Sequence, residues 1–126
     1  MSLSLEQKQA VVSEVAAELS NAQAVILAEY RGLEVGVVTR LRARARQSGV
    51  QLRVLKNTLA RRAVTGTPFE KLSGHMVGPL MYGIAQDPVA GAKVLADFSR
   101  EHELFVIKGG AMPNAVMSAQ DVKALA

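Results

Sequence analysis

The sequence predicts an α/β (α+β) domain: a four-stranded sheet with a split βαβ (ferredoxin-like) core, an inserted helix after the second strand, and extra N- and C-terminal helices. Three observations lead there. The chain has 126 residues, 49% of them hydrophobic, enough for one core and too few for two ordinary domains. Short β-branched runs alternate with amphipathic stretches. Once the first helix, the insert and the tail are set aside, the order is strand, helix, strand, strand, helix, strand. Two crossover units of this kind interleave into one sheet with helices on one face. Order along the chain leaves an open parallel α/β sheet as the competing arrangement.

In "SLSLEQKQAVVSEVAAELSNA", Ser4 precedes Gln7 by a capping-box spacing, and Leu5, Val12, Val15, Ala16 and Leu19 share one arc, so a first helix is expected. "QAVILAEY" is a continuous apolar run too short for a helix and reads as a buried strand over 23–29. In "VGVVTRLRARARQSG" four arginines recur at every second position, yet Val37, Val38, Leu41 and Ala45 fall within a quarter of a helical wheel. Helix is therefore predicted, with Gly49 ending it. Arg40 and Arg44 then border one side of the apolar stripe, Arg42 and Arg46 the other, so one ligand cannot meet all four.

"VQLRVLK" alternates and predicts a strand over 50–56. Asn57 follows as a good N-cap for a helix ending at Gly66, with Thr58, Arg61, Arg62 and Thr65 on one face and Leu59, Ala60, Ala63 and Val64 opposite. Thr67 and Pro68 open a short extra turn. "HMVGPLMYGIA" reads as a strand interrupted at Gly78-Pro79. Asp87 and Pro88 start another helix, "LFVIKGG" is the last strand, "AMPNAVM" is an irregular crossing, and Ser118 three residues before Asp121 caps a terminal helix.

Composition narrows the function. No run of about eighteen apolar residues occurs and the N-terminus shows no secretory pattern, so a cytoplasmic protein without a membrane span is expected; the absence of cysteine rules out disulfides, thiol nucleophiles and cysteine metal sites. His75 and His102 lie in no metal-ligand spacing, and the glycines of "YGIAQ" and "KGGAM" match no phosphate loop. No catalytic constellation is visible; no metal or cofactor is expected. The net charge of +4 hides an uneven distribution. From Tyr30 to Arg62 nine basic residues face one acid, a segment charge of +8 against −4 elsewhere. Such a segment attracts a polyanion.

Three features can converge on one: the Arg31-Gly32 corner, the Lys56-Asn57-Thr58 helix start, and the Arg61/Arg62 face. A helix start offers open N–H groups and positive dipole, and arginine offers forked hydrogen bonds to phosphates. Aromatics are too few for base stacking along the strands, and no DNA-recognition helix pattern appears, so backbone recognition of structured RNA is the better match. Tyr30 is the one aromatic beside the basic corner, although core packing is its simpler role. A split-βαβ enzyme or small-ligand regulatory domain with a basic surface is the alternative.

"AEYRGLEV", "LRVLKNTLARRAVTGTPFE", "VGPL", "DPVAGAKVLADF" and "LFVIKGG", in this order, resemble the bacterial ribosomal stalk-base family, the tenth protein of the large subunit. The resemblance covers the chain. It implies a domain that binds large-subunit ribosomal RNA at the stalk base, beside the eleventh large-subunit protein, and anchors the stalk that recruits translation GTPases. It places Arg31, Gly32, Lys56, Asn57, Thr58 and Arg61 on the RNA face, to which helical geometry adds Arg62. Glu34 and Gly36 stand where threonine and alanine are commoner in that family. The resemblance further implies repression of the protein's own messenger, and a C-terminal helix that holds acidic stalk-protein dimers. The chain ends at "VKALA", just before that helix would open, so residues 1–126 are expected to form a single RNA-binding domain without it.

Overall fold

The computed structural model describes residues 4–30, 32–54, 56–113 and 115–126. Helix α1 (Leu5–Ser20) leads to β1 (Ala24–Glu29), α2 (Val35–Gln47), β2 (Val50–Arg53), α3 (Asn57–Val64) and a 3₁₀ turn (Glu70–His75). Then come β3 (Leu80–Ala85), α4 (Pro88–Glu101), β4 (Val106–Met112), β5 (Ala115–Ser118) and α5 (Ala119–Leu125). The fold is mixed α+β, with a five-stranded sheet in the order β2-β3-β1-β4-β5 and every pairing antiparallel.

The local signals act largely as their chemistry dictates. Ser4 and Ser118 each close a full capping box, and Asp87 accepts from the N–H groups of Val89 and Ala90 with Pro88 in the first turn. In α2, Leu41 and Ala45 are fully buried, and Gly49 follows the helix in the left-handed region at φ +73°. The arginine-rich stretch is a helix because its apolar residues repeat at the helical period.

Four expectations need correction. The sheet has five strands rather than four, since "AMPNAVM" folds back so that Ala115–Ser118 pairs with Gly109–Met112. The second strand stops at Arg53, opposite Tyr82, and the chain then turns into α3. Residues 75–79 are not strand, so β3 is not interrupted at Gly78-Pro79 but begins after it at Leu80, with Gly78 at φ +81°. Helices cover both faces of the sheet rather than one. Ala24, Ile26 and Ala28 of β1 pack with Leu41, Leu95, Phe98 and Val122 from α2, α4 and α5. Val25 and Leu27 point the other way, toward Val15, Leu19, Ala60 and Val64 of α1 and α3, with Phe69 and Leu72 beside them. Sandwiching accounts for the unbroken apolar runs of β1 and β3, which are buried on both sides.

The register brings one end of the sheet into use. Glu29 pairs with Leu80 and with Val106, and Arg53 pairs with Tyr82. The ends of β1 and β2 and the starts of β3 and β4 therefore share an edge. The residue 32 corner and the start of α3 both leave from it.

Candidate nucleic-acid interface

Helix α3 presents the division its sequence demands. Leu59, Ala60, Ala63 and Val64 are buried, whereas Thr58, Arg62 and Thr65 are exposed. Its N-cap is Lys56, one residue earlier than the sequence indicates, and no side chain caps it. The amides of Leu59 and Ala60 both donate to the Lys56 carbonyl at 3.0 Å. The N–H groups of Asn57 and Thr58 precede that first intrahelical bond.

Asn57 does not cap the helix because its carboxamide is occupied elsewhere. Its Nδ2 donates to the Gly78 carbonyl at 2.9 Å, and its Oδ1 accepts from the Tyr82 hydroxyl. Burial pushes the Tyr82 phenol up to about 12, with Arg61 pulling slightly the other way, so the hydroxyl remains a donor through the neutral range. Arg61 is half-buried, and its Nη2 donates to the Met76 carbonyl at 2.6 Å. Its guanidinium carries further donors that this bond leaves over.

Beside the helix start lies a cleft of about 510 Å³ lined by Lys8, Val11, Tyr30, Arg53, Val54, Lys56 and Leu59. Tyr30 thus stands between the end of β1 and Lys56, and it also packs on the core through its ring. Gly32 is exposed at φ +73°, where a side chain would be strained, and an added Cβ would lie 3.4 Å from Leu104 Cδ1. Arg31 lies outside the described residues. Of the seven residues expected on the RNA face, the structure brings Lys56, Asn57, Thr58, Arg61 and Arg62 together on one helix, with Gly32 at the same end of the sheet.

The cations of the basic segment are not equivalent. Arg53 forms ion pairs with Glu14 and Glu18 of α1, and its side chain is only 22% exposed. The hydrogen bonds it donates to Glu18 hold the guanidinium yet more firmly protonated than usual, against the cost of burial and with help from Glu14. Arg44 pairs with Glu101 at 2.6 Å and lies over the Phe98 ring at 5.6 Å. Arg40, Arg42 and Arg46 are exposed on α2, which covers the opposite sheet face from α3. His102 stacks on Phe98 with centroids 4.3 Å apart, a packing role. Sequence reasoning passed over Tyr82 and the carbonyls of Met76 and Gly78. The one signal available was a tyrosine in an apolar strand, since a buried hydroxyl must find a partner.

Comparison with known proteins fixes the family. A profile described as Ribosomal protein L10 matches residues 4–100. The chain belongs to the ribosomal protein L10 family. All 126 residues align at 62% identity with the large ribosomal subunit protein uL10 of Nitrosospira multiformis, covering 72% of that protein. The uL10 proteins of Methylobacillus flagellatus and Thiobacillus denitrificans are 61% and 59% identical over the same 126 residues, covering 72% and 73% of their lengths. Ribosomal protein L10 family members are structural components of the ribosome. Among the described residues no helix is long and apolar enough to cross a membrane.

Proposed function

We propose that this chain is the part of a large-subunit ribosomal protein that anchors on ribosomal RNA at the stalk base, working in the cytoplasm as a structural component rather than an enzyme. The observation that carries the reading is the uncapped start of α3, where the Asn57 and Thr58 N–H groups precede the first intrahelical bond and Lys56, Arg61 and Arg62 lie on the same helix. Phosphate oxygens accept from the two amides, Lys56 adds a point charge, Thr58 a hydroxyl donor, and Arg61 and Arg62 reach neighbouring phosphates along the helix. Gly32, with Arg31 before it, contributes a second backbone approach at the same end of the sheet. Tyr30 lines the cleft between them, where a sugar or base edge can rest.

Finer features belong to the same proposal. Strands β2-β3-β1-β4 follow the order of a split βαβ sheet, and β5 extends it by one. Residues 1–126 act as one RNA-binding domain, with the eleventh large-subunit protein as its neighbour. Acidic stalk-protein dimers are held by a helix that follows this region, so the domain is the fixed base of the stalk. Repression of its own messenger would use the same face, because a leader mimicking the ribosomal site presents the same phosphates.

The test is a titration with a stalk-base RNA fragment across a salt series. With about five phosphates neutralised, the logarithm of the binding constant falls linearly with log salt at a slope of roughly −3.5 to −4.5. Affinity without salt dependence overturns the reading and favours a small-ligand domain.

A further inference from the structure

Helix α1 brings to the docking end a cation that the basic segment does not contain. Lys8 lies outside residues 30–62, yet α1 and α3 share one layer over the sheet, and Lys8 and Lys56 both line the cleft of about 510 Å³. Val11 and Leu59 of the same two helices, with Val54 just past β2, give this cleft an apolar wall, and Tyr30 just past β1 gives it an aromatic one. Its charge has one sign. The lining holds no carboxylate, whereas other clefts on the molecule combine Glu14 and Glu18 with Arg46, Glu29 with Lys108, and Asp97 with Arg44 and Lys93. Arg53, also in the wall, is already matched by Glu14 and Glu18. Among the described residues neither Lys8 nor Lys56 forms an ion pair, although Lys8 is half-buried.

We propose that this cleft is a nucleotide subsite: one unstacked base of the bound RNA enters it against the Tyr30 ring and the Val11, Val54 and Leu59 side chains, while Lys8 and Lys56 hold the phosphates flanking that nucleotide. The inference rests on the docking reading above and adds Lys8 as an RNA-binding residue. The chemistry of the lining selects the occupant. A volume of about 510 Å³ is that of a site enclosing one small group. Splayed-out bases are held by aromatic and apolar side chains, and ammonium groups act on phosphate as point charges. An inorganic anion would leave the apolar wall unused. A wholly apolar ligand would take water from two lysines and return no charge. A base with its phosphates satisfies both parts of the lining.

The experiment titrates the parent chain, Lys8→Gln, Lys8→Arg and Val54→Trp with the stalk-base RNA fragment across a salt series, then repeats it with fragments that each carry one abasic nucleotide. Lys8→Gln is expected to weaken binding about three- to tenfold. It lowers the salt slope by roughly 0.7–0.9, as Lys56→Ala does, and Lys8→Arg restores the parent slope. Val54 is 42% exposed, so Val54→Trp fills the cleft from its rim and removes no cation. Its binding is expected to fall about five- to a hundredfold, the span of one base–aromatic contact. One abasic position weakens the parent by a similar factor and has no further effect in Val54→Trp. Parent affinity and slope in Lys8→Gln overturn the subsite, whatever the folding of Val54→Trp. So does unchanged or tighter binding in a folded Val54→Trp, or an abasic series in which no position costs affinity in the parent alone. In each of those cases a parent that still binds with its salt slope leaves the docking reading standing. A parent without salt-dependent affinity for the fragment overturns the docking reading, and the subsite with it.

Discussion

Arg53→Ala separates charge that serves the fold from charge that serves a ligand. In the sequence Arg53 is one of nine cations in the basic segment, three residues before Lys56. In the structure it faces Glu14 and Glu18, with its side chain 22% exposed and those of the acids 60% and 25% exposed. Fully exposed pairs contribute about 0.2–1 kcal/mol, and removing one member of a fully buried pair costs about 3–5 kcal/mol. The Glu18 contact lies between these limits and the Glu14 contact near the lower one, which gives a loss of about 1–2 kcal/mol. Urea unfolding followed by circular dichroism reads this as a lower midpoint at constant m. RNA titration of the same variant keeps the parent salt slope, because a guanidinium already matched by two carboxylates releases no counterions from the RNA. Parent stability combined with a slope lowered as much as in Lys56→Ala would show Arg53 facing the RNA and refute the division of cations.

Lys56→Ala and Arg61→Ala each weaken RNA binding by about 1.5–3 kcal/mol or less, while Arg42→Ala on the far face changes it little. Equal losses in all three point to a diffuse field instead of a defined site. Gly110→Ala destabilises the sheet by about 1–3 kcal/mol or more, since its Cβ would lie 2.5 Å from the Val25 carbonyl of β1; an unchanged thermal midpoint contradicts that packing. Tyr82 contributes a pH dependence of defined sign. Its folded pKa, raised to about 12 by burial, exceeds the ordinary tyrosine value of 10.0, so the folded state binds the extra proton. That stability, on the order of 2–3 kcal/mol, is complete below pH 10 and is lost as the pH climbs toward 12. Denaturation curves of the parent should fall more steeply over that window than those of Tyr82→Phe, and parallel curves would sink the assignment.

Some features were legible from the residues because they are decided within a few positions. The Ser4, Asp87 and Ser118 caps depend on groups two or three residues apart, and the α2 stripe of Leu41 and Ala45 depends on helical period. The two-sided face of α3 was legible for the same reason. The start of that helix was not. Local preference made Asn57 the cap, and the opposing partners, Gly78 and Tyr82, stand 21 and 25 residues away. The fifth strand escaped notice because Ala115–Ser118 is mostly exposed and carries no alternating apolar signal; pairing with β4 alone defines it.

The sequence by itself determined the elements, their caps, the apolar faces that must be covered, and the motif order that marks the ribosomal protein L10 family. These are properties of short-range spacing and side-chain chemistry, so they survive without knowledge of the fold. Tertiary structure decided which cations remain free, which sheet face each helix covers, and that the α3 start stays uncapped. Each of those depends on groups brought together from distant parts of the chain, as when Glu14 and Glu18 meet Arg53, and no local pattern encodes such a meeting.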